Sequence, residues 1–190
     1  MFRRLAILLG VVVALGAGGA ALIRLAESGA TEFVVEGDTL TISGPVSGAA
    51  TERLERLLEQ TPGLSRVVLG DLPGTDDLSW LVGMGYLIRN AGLETVAEGE
   101  IVNDAILLFA AGEPRVMGEG RLVLRSDAMA RRLGQPVDRR PSATAERARY
   151  LERVLGDAAL AEFEAEMRGS RDEHVMSGDE MRRFGLLDGL

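Results

Sequence analysis

An α/β fold, in which parallel strands are covered by helices, is what this 190-residue sequence predicts, and three observations lead to it. Short β-branched runs such as Val67-Val68 and Thr95-Val96 alternate with longer stretches whose apolar residues recur at helical spacing. Turn formers separate the two kinds of segment, as at Asp71-Leu72-Pro73-Gly74. Alternation of strand and helix favours parallel strands with right-handed crossovers over a meander or a sandwich. The composition, 46% hydrophobic and 26% charged, suits one globular domain at residues 29–190 behind an N-terminal segment at 1–28.

The elements follow in order. Residues 32–35 and 39–42 alternate like strands around the turn Glu36-Gly37-Asp38 and predict a hairpin. Ser43-Gly44-Pro45 breaks the second strand. A helix over 50–60 then places Leu54, Leu57 and Leu58 on one face, and Thr61-Pro62-Gly63 stops it. Next come a strand at 66–70, the Gly/Pro turn and a helix at 77–91, in which Trp80, Leu81, Met84, Leu87 and Ile88 read as core and Gly92 as the cap. A strand at 93–96, a compact helical run at 103–112 and a strand at 121–125 complete the sheet. Pro, Arg and Gly at 134–141 predict a loop into a helical region at 143–167, interrupted near Gly156-Asp157. Ser177-Gly178-Asp179-Glu180 has the capping-box pattern, and a short helix follows it.

The N-terminus has a different character. Arg3-Arg4 precedes an apolar run at 5–23, and Arg24 closes it. Such a run nearly crosses a hydrocarbon layer of about 30 Å as a helix and predicts a membrane anchor. The competing reading is a signal peptide cleaved with Gly19 and Ala21 at −3 and −1. In both readings the paired arginines stay cytoplasmic, so the domain is exported: it is held at the inner membrane facing the periplasm, or is free there after cleavage.

Charge and composition remove several functions. A net charge of −8 opposes a nucleic-acid surface, which needs a basic field. With no cysteine there is no disulfide, no thiolate metal site and no cysteine nucleophile. No cofactor or metal is expected.

Four segments, taken together, resemble the Clp protease proteolytic subunit family and its membrane-linked relatives, which share the crotonase fold. They are Leu40-Thr41-Ile42-Ser43-Gly44-Pro45, residues 67–74, residues 103–112 with Arg115, and residues 176–188. The resemblance implies a nucleophilic serine where this chain has Asn103, with backbone N–H groups beside it and at the Gly74 turn forming an oxyanion hole. It implies a histidine base where Arg125 stands and an acid at Asp172 or Glu173. Exported relatives often carry cysteines flanking the serine; here those places are Ile101 and Ala105.

Judged by chemical role, these replacements are inert. A carboxamide is a poor nucleophile, and a guanidinium keeps its proton. Where the resemblance implies paired glycines at the turn, Pro73-Gly74 offers one N–H fewer. Asp104 would repel a developing negative charge. His174, the sole histidine, lies beside the candidate acid rather than on the strand expected to present the base. Ser79 and Ser126 carry no catalytic pattern. Arg125 is expected to pair with Asp172, Glu173 or Asp104, the alternatives being an anion site or plain exposure.

The reading is thus an exported, membrane-anchored pseudoenzyme that binds a peptide or protein partner. Two others stay open. One is an active enzyme, serine-peptidase-like or acyl-CoA-type, although no basic cluster suits the CoA phosphates. The other is a structural subunit of a homo- or hetero-oligomer, built through the helical region that carries Tyr150, Leu151, Val154, Leu155, Leu160 and Phe163.

Overall fold

The computed structural model describes residues 10–15, 21–26, 31–170 and 173–187. Among these residues ten strands form two sheets, with helices packed against them. The predicted hairpin is β3 (Glu32–Glu36) and β4 (Thr39–Ser43), paired in register from Glu36↔Thr39 to Glu32↔Ser43. Gly37 turns it with φ +62°, a left-handed conformation that glycine adopts without a Cβ clash. β1 (Gly10–Leu15) and β2 (Ala21–Ala26) extend the sheet antiparallel on the β3 side. They are described pieces of the segment expected to form an apolar helix; the rest of 5–23 lies outside the described residues. Among the described residues no helix is long and apolar enough to cross a membrane.

Within the first sheet the pairing is parallel from β4 onward, as the alternation predicts. α1 (Gly48–Gln60) leads to β5 (Arg66–Leu69), and α2 (Leu78–Asn90) to β6 (Glu94–Ala97). β7 (Glu100–Val102), a 3₁₀ turn (Asn103–Ala105) and α3 (Ile106–Ala111) precede β8 (Arg115–Met117). β9 (Arg121–Arg125), α4 (Asp127–Arg132), α5 (Ala143–Leu155), α6 (Ala159–Gly169), β10 (Glu173–Val175) and α7 (Gly178–Arg183) complete the chain. The first sheet has the order β1-β2-β3-β4-β5-β6-β8, and the second β10-β9-β7.

Helix faces follow the sequence periodicity. α1 buries Ala50, Leu54 and Leu57, and each fully buried leucine contributes about 2 kcal/mol. α2 packs on α1, α3 and α5. Its Gly85 leaves space for the Tyr150 hydroxyl, which donates to the Leu107 carbonyl at 3.1 Å and ties α5 to α3. Tyr150, Leu151, Val154 and Leu160 are all buried in this core, and Phe163 stacks on Phe184 at 5.2 Å between centroids. The apolar stripe suspected of building an oligomer therefore covers the chain's own interior. The 103–112 run, expected as one helix, is a 3₁₀ turn followed by a short helix.

Three strands pass from the first sheet toward the second at glycines. Gly70 follows β5, Gly99 joins β6 to β7, and Gly120 joins β8 to β9. A Cβ on Gly99 would stand 2.2 Å from the Gly70 carbonyl carbon, and one on Gly120 would stand 2.5 Å from the Gly99 oxygen. Backbone packs on backbone at this corner, so any side chain must displace a strand. Gly99→Ala is expected to destabilise the protein by about 3 kcal/mol in chemical denaturation. Gly63→Ala, at a position with nothing within 4 Å of the added carbon, is expected to change stability by less than about 0.5 kcal/mol.

Candidate functional site

The corner brings the expected site residues together. After Gly70 the chain joins β7: the Leu72 N–H donates to Glu100 O, and the Val102 N–H to Leu72 O, both at 2.9 Å. Gly74 takes φ +106° with the Val102 and Pro136 carbonyls 3.6 and 3.7 Å from where its Cβ would be. The glycine turn thus lies against the end of β7, one residue before Asn103. On the other side β7 runs parallel to β9 (Val102↔Val123), and β9 pairs with β10 (Arg125↔Glu173). Gly74, Asn103, Arg125 and Glu173 therefore converge, whereas Asp172 lies outside the described residues.

Asn103 has φ +50°, the one non-glycine left-handed residue among those described. Asparagine tolerates this conformation better than most residues. Its side chain is buried, and its Oδ1 accepts the Arg125 backbone N–H at 2.7 Å. The carboxamide takes up a strand donor that β7, ending at Val102, no longer pairs.

The Arg125 side chain is held between two carboxylates. Its Nε donates to Glu173 at 2.5 Å and its Nη2 lies 2.7 Å from Glu100. Burial opposes the charge on Arg125, but Glu173 and Glu100 outweigh it and raise its pKa above the ordinary arginine value. Burial likewise works to raise Glu100, and hydrogen bonds from Arg125 and Arg121 overcome it, leaving that carboxyl below its usual range. Arg125 cannot accept a proton here. The expected pairing with Glu173 is present; Asp104 is not its partner, and Glu100 is.

Asp104 faces a separate, buried assembly. Arg147 Nε donates to Asp104 Oδ1 at 2.8 Å, and Arg168 Nη2 is 2.5 Å from Oδ2. The expectation that Asp104 would repel negative charge is corrected, because two arginines compensate it. Glu164 completes the group: its Oε2 is 2.8 Å from Arg147 Nε, yet neither of its oxygens has an aligned hydrogen-bond donor. Desolvation raises its pKa to about 7, against the attraction of Arg147.

The other candidates have structural roles. His174 Nε2 is 2.9 Å from Glu180 Oε1, and its ring meets Phe163 edge-on. Glu180 also closes the capping box with Ser177, as the sequence predicts. Ser126 caps α4, and Ser79 bonds Asp77 at the start of α2. Ile101 and Ala105 are buried core residues.

Beside this locked cluster lies an open groove of about 850 Å³. Gly44, Leu72, Pro73, Glu98, Glu119 and Gln135 are among its walls, so it sits beyond the carboxyl ends of β4, β5, β6 and β8. Open α/β sheets commonly bind ligands in this position. The residues not anticipated from sequence are Glu100, Arg147, Glu164 and Arg168. For two of them a signal existed: Arg147 falls on the apolar stripe of Ala143, Tyr150, Leu151 and Val154, and Glu164 on that of Leu160 and Ala161.

Two measurements check these assignments. Asn103→Ala leaves the Arg125 N–H without its acceptor and puts a Cβ-bearing residue without a compensating side chain in the left-handed region. A loss of about 3 kcal/mol is expected, with Asn103→Gly about 1 kcal/mol less damaging. For Glu164, the folded pKa lies above the ordinary value, so the folded state binds the proton more tightly. Its contribution to stability is therefore full below about pH 4.5 and lost as pH rises through about 7. The loss is on the order of 3 kcal/mol, and Glu164→Gln is expected to flatten stability against pH across that window.

No protein-family model matches the sequence, and no curated protein matches it. Solved structures do match the fold. ClpP1 from Listeria monocytogenes aligns over 80% of this chain and 89% of its own, at 15% identity and a TM-score of 0.53. An enoyl-CoA hydratase/isomerase from Marinobacter aquaeolei aligns over 83% and 68%, at 12% identity and 0.53. The 1510-N membrane-bound stomatin-specific protease aligns over 78% and 75%, at 11% identity and 0.52. At these identities the likeness is one of fold, and the chain has the fold that Clp protease subunits and enoyl-CoA hydratases share.

Proposed function

We propose that this chain is a Clp-protease-like pseudoenzyme whose groove binds an extended peptide or protein segment without cleaving it. One observation carries the reading: the residue at the expected nucleophile position, Asn103, spends its carbonyl oxygen on the Arg125 N–H, while the Arg125 guanidinium is clamped between Glu100 and Glu173. Acyl transfer needs a hydroxyl or thiol beside a group that can take its proton. Neither stands at the expected positions: Asn103 offers a carboxamide whose oxygen already accepts the Arg125 N–H, and Arg125 a guanidinium held in its charged form by Glu100 and Glu173. The groove remains open next to them, and loss of reacting groups does not remove the capacity to hold a chain. The apolar run at 5–23 supports export, with retention at the membrane as an anchor.

The purified full chain is expected to show no covalent labelling by a fluorophosphonate probe and no hydrolysis of an extended-peptide panel. Stoichiometric labelling would overturn the reading.

A further inference from the structure

We infer that the groove takes a cationic segment of another polypeptide, with arginine or lysine at alternate positions of an extended chain. The inference rests on the reading of the groove as a peptide site and names the chemistry of its occupant. Four of the residues lining the groove are carboxylates, Asp71, Glu98, Glu100 and Glu119, against the single cation Arg121. Glu100 is already compensated by Arg121 and Arg125. Among the described residues no arginine lies within ion-pair distance of the other three, which leaves three uncompensated negative charges in one groove.

Their placement suits an extended chain. Asp71 follows β5, Glu98 follows β6, and Glu119 lies between β8 and β9, so the three form a row across successive strand ends. Neighbouring strands are about 4.8 Å apart and side chains on one face of an extended peptide recur about every 6.8 Å, a difference of about 2 Å per step that the long, flexible stems of arginine and lysine span, so a crossing segment can bring successive basic side chains to the row. Two of the carboxylates are also held in place. Asp71 Oδ1 accepts the Glu100 N–H at 2.8 Å, and Glu98 Oε2 accepts the Glu119 N–H at 3.2 Å. The Glu98 carboxylate occupies the space that a side chain at Gly118 would fill. A carboxylate already positioned loses little freedom when a cation arrives. The net charge of −8 adds a long-range field of the same sign preference.

The test uses the full chain and three fluorescent decapeptides, identical except that alternate positions are Arg, Gln or Glu, with fluorescence anisotropy read at 50 and 300 mM NaCl. The Arg peptide is expected to bind about tenfold tighter than the Gln peptide at low salt, with most of the advantage lost at high salt. The double variant Glu98→Gln/Glu119→Gln, in which each side-chain carbonyl can still accept a hydrogen bond, is expected to lose the same advantage while unfolding at the same denaturant concentration. Equal binding of the Arg and Gln peptides, tighter binding of the Glu peptide, or an advantage that the double variant keeps would overturn the charge assignment and leave the peptide-binding reading standing. Failure of all three peptides to bind would overturn that reading and the inference with it.

Discussion

Gly70, Gly99 and Gly120 stand where β5, β6 and β8 leave the first sheet, and backbone fills the space between them where side chains would otherwise project. Close-packed interiors tolerate almost no added volume, and at Gly99 and Gly120 the nearest atoms belong to main chain that is itself hydrogen-bonded across the corner. The constraint has three consequences. It redirects two strands into β7 and β9, whose parallel pairing places Asn103 beside Arg125. It brings the Gly74 turn against the end of β7. It also leaves an open groove at the strand ends, because no side chain grows out of the corner to fill it.

Two charged assemblies then flank the corner and differ in solvent exposure. Arg121, Glu100, Arg125 and Glu173 alternate in sign on the partly exposed side, where screening limits what each pair contributes. Arg147, Asp104, Arg168 and Glu164 form a nearly dry cluster beneath α5 and α6. Desolvation there can exceed the Coulombic gain, and Glu164, with no aligned donor, is where the cost falls. Both assemblies fix side chains next to Asn103, so the position resembling a nucleophile's is surrounded by groups committed to structure.

Much of the fold was legible because its signals are local. The hairpin needs only alternation around Glu36-Gly37-Asp38, the crossover helices only their apolar stripes, and α7 only the Ser177 and Glu180 pair. β7, β8 and β10, at three residues each, are too short to show a period, and they exist because longer neighbours pair with them. Convergence of Asn103, Arg125 and Glu173 followed from the resemblance, whereas Glu100 was hidden: 25 positions separate it from Arg125, and only the β7–β9 register makes them neighbours. Arg147 and Glu164 each interrupt an apolar stripe, which is the pattern of a charge compensated inside the protein, but Asp104, the partner of both Arg147 and Arg168, lies on another element and carries no local signal.

On the proposed reading, the scaffold holds a chain and lacks the groups to cut it. Native mass spectrometry of the full chain with an extended, arginine-bearing peptide tests both halves in one spectrum. It should show a non-covalent complex whose mass is the sum of protein and intact peptide, unchanged after prolonged incubation. A protein mass increased by an acyl fragment, or free peptide products accumulating with time, would contradict it.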